Sequence, residues 1–356
     1  MQKFSVAALG GAVVALAFLL ISVLPAQARN IPGSAAVAQN HVTTVVGSSL
    51  IDLTFMALRD AGQPTYSPAA GSAIPLGYLA SAAQPENSVI SAINSSTMLA
   101  GSPESTSLSA AIGAGYVFGA PNGFDFNYGS TYGSLVLAHS VSPDLRLFGS
   151  LVMEAGSGDL LYNNGTLSNT GVGGLAGALF RLNDGAELSL LGGIEWLNYD
   201  TTRSGGAVTA DYDALRYLAD AQVRGIHRGD GFFIEYSGGL RFIHEQTSDY
   251  WEMSGGVPGA YVAEDAFSTF DALSSIKLGV PMGSWTPFAE LSGGLNLYNR
   301  TGAQTALANV DGVTGRLSLG VDADVAGGLF KAVAGFHSGS DGVSGVDGRL
   351  SFSKHF

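Results

Sequence analysis

The chain contains no cysteine. That excludes a disulfide framework, thiolate-bound zinc, an iron–sulfur cluster and a catalytic thiol. Charge is scarce as well: Asp, Glu, Lys and Arg make up 13% of 356 residues, against 46% hydrophobic residues, a balance too apolar for a disordered chain. Basic residues are the scarcest, 16 against 29 acidic, for a net charge of −13. Phosphate contacts need clustered Lys and Arg, so no nucleic-acid partner is expected. The six histidines, His41, His139, His227, His244, His337 and His355, show no metal-ligand spacing, and neither a metal nor another cofactor is expected. There is no Gly-x-Ser-x-Gly elbow and no His-Glu-x-x-His motif. His244 with Asp249, and His337 with Asp341, are the nearest approach to a hydrolytic pair and read better as polar rim residues, so no enzyme activity is expected.

Only one apolar run approaches membrane-spanning length, Val6–Leu24. Lys3 precedes it, Pro25 ends it, and Ala26-Gln27-Ala28 forms a small-x-small cleavage pattern. Residues 1–28 therefore read as a secretory signal peptide cut after Ala28, with Ala26 and Ala28 as the cleavage residues. Residues 29–104 read as a linker or short passenger, rich in Ser, Ala and Asn. Val42, Val46, Leu50, Leu53 and Ala57 recur at helical spacing, and a second helical stretch is expected over Asn87–Leu99. Pro64, Pro68, Pro75 and Pro85 separate the two.

Glycine is abundant, 50 residues or about twice the usual share, and from residue 105 the pattern changes to period two. In Arg316–Val325 every odd position is apolar and the even ones are Arg, Ser, Gly, Asp and Asp. A strand sends alternate side chains to opposite faces. About twelve such segments follow, near 105–118, 127–139, 144–154, 169–180, 186–198, 212–226, 231–246, 267–280, 285–298, 314–326, 329–337 and 345–356. Soluble strands average about 5–6 residues, whereas a tilted membrane-crossing strand needs about 9–11. The fold class expected is all-β: an antiparallel transmembrane barrel over 105–356, preceded by a short helix-prone segment. Connections support it, because short turns alternate with longer ones near 155–168, 199–211, 247–266, 299–313 and 338–344. The charges Arg146, Glu154, Arg216, Asp220, Arg224, Glu235, Arg241, Glu290, Arg316, Asp322, Asp324 and Arg349 all share the polar face. In a membrane barrel they would line a polar, hydrated lumen and knit its wall. Tyr116, Phe118, Trp196 and Tyr199 are expected at the outer lipid interface, and Phe180, Trp285 and Phe356 at the inner one. Gly171-Val172-Gly173-Gly174-Leu175-Ala176 matches a dinucleotide fingerprint but falls in a strand pattern. Arg228-Gly229-Asp230 falls in a tight turn.

With the signal peptide, the helix-prone linker, the strand count and the ending Gly348–Phe356, residues 105–356 resemble the β-domain of bacterial autotransporters, the translocator of type V secretion. The resemblance implies location in a Gram-negative outer membrane as a monomer surrounded by outer-membrane lipid. It implies periplasmic chaperones and the outer-membrane assembly machinery as partners, the latter reading a C-terminal signal formed here by Leu350, Phe352 and Phe356; Lys354 departs from that pattern. It also implies an upstream helix threaded through the pore, for which Asn87–Ala100, with Asn94, is the best candidate. The expected function is that of an outer-membrane translocator barrel carrying a minimal N-terminal passenger or plug. The alternatives are a small porin-like, cation-favouring pore, or a structural or adhesive barrel acting through its extracellular loops, chiefly Thr247–Ala266.

Overall fold

The structure, a computed structural model, describes residues 32–60, 106–183, 185–300, 312–325 and 328–355. The signal segment with Ala26 and Ala28, the stretch 87–100 with Asn94, and Phe356 lie outside the described residues.

A chain whose alternate side chains need opposite surroundings meets both demands as extended strands. Twelve strands close into a barrel: β1 (Thr106–Gly119), β2 (Phe126–Ser142), β3 (Leu145–Leu160), β4 (Gly165–Asn183), β5 (Ala186–Arg203), β6 (Val208–Gly229), β7 (Phe232–Thr247), β10 (Asp265–Gly279), β11 (Trp285–Arg300), β12 (Val313–Val325), β13 (Gly328–Gly339) and β14 (Val343–His355). A hairpin of β8 (Tyr250–Ser254) and β9 (Val257–Val262) stands on the rim. Neighbours in the wall are antiparallel, and β1 pairs with β14 from Ser107↔His355 to Gly119↔Val343, so the wall has no free edge. Every alternating segment of the sequence is one of these strands.

The loops differ from the sequence reading. The stretches 155–168 and 199–211 are mostly strand: β3 and β4 run on to a turn at 161–164, and β5 and β6 to a turn at 204–207. Paired strands satisfy their backbone groups without lipid, so they continue where the apolar alternation that reveals them has stopped. Asn164 and Ser204 take left-handed φ values of 53° and 56° in those turns. Within 247–266, β8 extends the wall by pairing with β6 at Val208↔Ser254 and Thr209↔Met253. Arg228-Gly229-Asp230 ends β6 at a short turn, and Gly171–Ala176 lies inside β4.

Outward positions form an apolar band that includes Ile112, Leu135, Leu151, Val172, Ile276, Leu291, Leu319 and Leu350, all exposed on the bare barrel. Tyr116, Phe118 and Trp196 are exposed toward the long-loop end and Trp285 toward the short-turn end. Tyr199 departs from the expected outer girdle. It shares the inward parity of Glu195 and Leu197 and is fully buried.

Inside the barrel stands α1 (Ala35–Asp60). It is apolar around most of its circumference, which suits a helix enclosed on all sides. Val42, Val46, Leu50, Leu53 and Ala57 are all buried against the wall. The helix in the lumen is therefore the upstream candidate. At its N-terminal end, the Gly33 N–H donates to Glu252 Oε1 at 3.1 Å and the Tyr162 O–H donates to the Ser34 carbonyl at 2.7 Å, both at the long-loop rim. At its other end, Phe55 meets Phe148 edge-on, 6.4 Å between centroids, near the short turns. Gly47 sits at the closest approach: a Cβ there would lie 3.2 Å from Leu218 Cδ2 and 3.3 Å from Ile243 Cδ1. Inward Val136, Val152, Leu175, Leu179, Leu191, Leu218 and Ile243 pack around the lower half of α1. This corrects the expectation of a wholly polar, hydrated lumen, since much of the enclosed space is an ordinary apolar core. Each fully buried Leu or Ile contributes about 1.5–3 kcal/mol.

Candidate functional site

The lumen charges fall into four groups. Each is set by strand parity, which turns one residue in two inward, and by register, which brings neighbouring strands level.

The most enclosed group centres on Arg216 of β6, which is 0% exposed. Its Nη1 donates to Glu154 Oε2 at 2.7 Å and Glu195 Oε2 at 2.9 Å, and its Nε donates to Glu245 Oε2 at 2.9 Å. Glu245 also ties this wall to α1. It accepts from Gln39 Nε2 at 2.7 Å, Thr43 Oγ1 at 2.9 Å and the Tyr199 O–H at 3.1 Å. Asn169 donates to Glu154 and in turn accepts from the Tyr128 hydroxyl. The Tyr212 O–H donates to Gln39 Oε1 at 2.7 Å.

The second group spans the lumen through Asp52 of α1. Arg241 on β7 donates to Asp52 Oδ1 at 2.7 Å and to Asp220 Oδ2 at 2.8 Å. Arg349 on β14 reaches Asp52 Oδ2 at 3.3 Å and Asp347 Oδ2 at 3.0 Å, and Arg316 donates to Asp347 at 2.6 Å. One helical carboxylate thus bridges two strands that are distant in sequence and separated along the wall. The other two groups are nearer the short turns. Arg224 joins Glu235 at 3.2 Å and Glu187 at 3.6 Å. Asp322 lies 3.6 Å from both Lys277 and Lys331, and Lys277 Nζ sits 3.9 Å from the centre of the Phe288 ring. Arg146 donates to the Ser107 hydroxyl. Glu290 and Asp324 share the inward register and are half-buried.

Sequence parity picked out the wall charges but missed the helix side of these contacts: Gln39, Thr43 and Asp52 lie in a stretch read only as a helix-prone linker. It also missed His41, whose Nδ1 is 3.3 Å from Asp341 Oδ2 on the β13–β14 turn. Asp341 is therefore within ion-pair distance of His41. His244 faces outward and its Nδ1 is 2.8 Å from Ser268 Oγ. Ser268 is only 7% exposed, and among the described residues no carboxylate orients the ring, so the pair lacks two requirements of a Ser–His nucleophile. On the hairpin, Trp251 and Tyr261 are exposed with ring centres 5.3 Å apart. The Tyr261 O–H donates to Asp249 at 2.9 Å, and that bond raises the phenol above its ordinary range. Leu350 and Phe352, expected to form a C-terminal assembly signal, lie on the outward face of β14.

No family model matches the chain, and no curated protein sequence does. Solved structures do match the fold. The translocator domain of the autotransporter NalP from Neisseria meningitidis superposes with a TM-score of 0.61 at 16% identity, covering 71% of this chain and 88% of that one. The β-domain of the Bordetella autotransporter BrkA superposes with a TM-score of 0.54 at 15% identity, covering 70% and 98%. The chain thus has the fold of an autotransporter translocator: a closed twelve-stranded barrel preceded by an N-terminal helix.

Proposed function

We propose that this chain is an exported, monomeric outer-membrane barrel of the translocator type whose lumen is kept closed by its own helix α1. The observation that carries the reading is the Asp52 bridge. A carboxylate on α1 joined to Arg241 and Arg349 ties the helix across the barrel, while Glu245 holds its upper half through Gln39 and Thr43. The apolar outer band supplies the surface that lipid would cover.

The direction of α1 bears on the passenger. Its N-terminal end is at the long-loop rim, which the reading places outside the cell. Its C-terminal end and the start of β1 are both at the short-turn rim. The helix therefore crosses the lumen from rim to rim, as a stopper must. The lumen charges serve the wall and the stopper, and no solute site is assigned to them. With α1 removed, the acidic side chains of Glu154, Glu245 and Glu290 would favour cations, which keeps the pore reading as the open form of the same molecule.

Deletion of residues 35–60 tests the stopper: single-channel conductance in planar bilayers should rise well above that of the full chain, and an unchanged conductance would refute it. Orientation is tested separately, and the absence of cysteine makes the test clean. On intact cells a membrane-impermeant maleimide should label Ala207→Cys on a long-loop turn and spare Asp144→Cys on a short turn.

A further inference from the structure

The cluster around Arg216 does not balance. The ionisable groups acting on Glu195 are Glu154 from β3, Arg216 from β6 and Glu245 from β7, and the phenols of Tyr128 on β2 and Tyr199 on β5 complete the surroundings of the cluster. Asn169, Gln39 and Thr43, its remaining polar neighbours, carry no charge. With all three carboxyls ionised, one guanidinium would face three anions in a space where Arg216 and Glu195 are 0% exposed. The second lumen group shows the contrast, since Arg241, Arg316 and Arg349 match Asp52, Asp220 and Asp347 one for one.

Hydrogen bonding distinguishes the three acids. Glu245 accepts from four donors: Gln39, Thr43, Tyr199 and Arg216. Glu154 accepts from Arg216 and Asn169, one donor on each oxygen. Among the described residues, Glu195 accepts from Arg216 alone through Oε2, and its Oε1 is buried without a partner. A buried carboxylate oxygen that accepts nothing leaves its charge uncompensated, whereas the protonated acid carries no charge to bury and its O–H can donate to a neighbouring carboxylate. Space is provided by Gly171: a Cβ there would meet Glu154 Cγ at 2.9 Å and Glu195 Oε1 at 3.0 Å. The two acids, with Leu197 Cδ2 at 2.7 Å, therefore close over a bare backbone where a larger residue would have to push one of them aside.

We infer that the Arg216 cluster is a proton-binding site and that Glu195 holds the proton at neutral pH, as a neutral acid beside the Glu154 carboxylate. The consequence reaches α1. Ionising Glu195 would place another negative charge in the cluster whose member Glu245 anchors the helix. Stability also follows from linkage. The folded chain keeps a proton that the unfolded chain releases in the ordinary glutamate range, so folding is favoured at low pH and weakens as pH rises.

Two measurements on the full chain, folded in lipid vesicles, test this. The infrared spectrum at neutral pH should contain the carbonyl stretch of a protonated carboxylic acid, lost in Glu195→Gln and kept in Glu154→Gln. The second is the unfolding equilibrium in urea between pH 6 and 8. One retained proton raises the unfolding constant by up to about tenfold per pH unit, and Glu195→Gln, which mimics the neutral acid, should remove that component while folding as well as the wild type at pH 6. Absence of the band from the wild type would overturn the inference. So would its persistence in Glu195→Gln, or an unchanged pH slope in that variant. If Glu195→Gln does not fold, the wild-type band and its survival in Glu154→Gln still decide the matter.

Discussion

The two sides of the lumen are built differently. On β1–β7 and β14 the inward positions hold bulky apolar side chains and tightly enclosed ions, among them Tyr132, Val136, Leu175, Leu191, Arg216, Leu218, Arg241 and Ile243. On β11 and β12 the inward positions are mostly small or hydrophilic, and Glu290, Ser292, Arg316, Gly320 and Asp322 remain partly exposed. Helix α1 explains the asymmetry, because it packs against β1, β2, β3, β6, β7, β13 and β14 and not against β11 or β12 to a comparable extent. Where the helix leans, the wall becomes one half of a soluble-protein core. Across from it, the wall follows the simpler rule of a membrane barrel, apolar outside and polar inside.

Mutations on the two walls test this contrast. The largest effect belongs to Arg216→Ala, which leaves three acids without their cation. Loss of a buried ionic partner costs about 3–5 kcal/mol, and the urea midpoint of the folded barrel should fall accordingly. Leu218→Ala or Ile243→Ala opens a cavity beside Gly47, for an expected loss of about 2–5 kcal/mol by the same measurement. Gly47→Leu pushes α1 off that wall. Overpacking of this kind costs about 1–3 kcal/mol, and conductance should rise even though the barrel still migrates as a folded, heat-modifiable species. The smallest effect is expected opposite: Ser292→Ala should change stability by less than about 0.5 kcal/mol. A loss comparable to that of Leu218→Ala would remove the distinction between the walls.

The same contrast explains what could be read from the sequence. Strands β11 and β12 were the easiest to find, since Arg316–Val325 alternates without fault. On the helix side, alternation is broken by doubled apolar residues: Leu190 with Leu191, Trp196 with Leu197, and Tyr217 with Leu218. In each pair the first faces outward and the second faces α1. Read as a lipid pattern these doublets are noise; read as a second apolar surface they mark a buried companion. The helix itself was legible from Val42 to Ala57 as a spacing. Its place in the lumen was not, because that depends on Asp52 meeting Arg241 and Arg349, residues 189 and 297 positions away. Tyr199 reads as part of a lipid girdle because aromatic type alone does not record parity. The extension of β3–β6 is hard to read for a related reason: there the outward positions turn polar, as at Asp159, Asp200 and Asp211, while inward Leu160, Leu167, Tyr199 and Ala210 are buried, which reverses the lipid-facing pattern.

That extension has a practical consequence. β5 and β6 remain in register up to Arg203↔Val208, so the turn at 204–207 crowns a stiff ribbon rather than a slack loop. A peptide grafted there would be held on a rigid mast with its height and heading fixed by the ladder beneath, which makes this turn a site for presenting short epitopes in a defined pose.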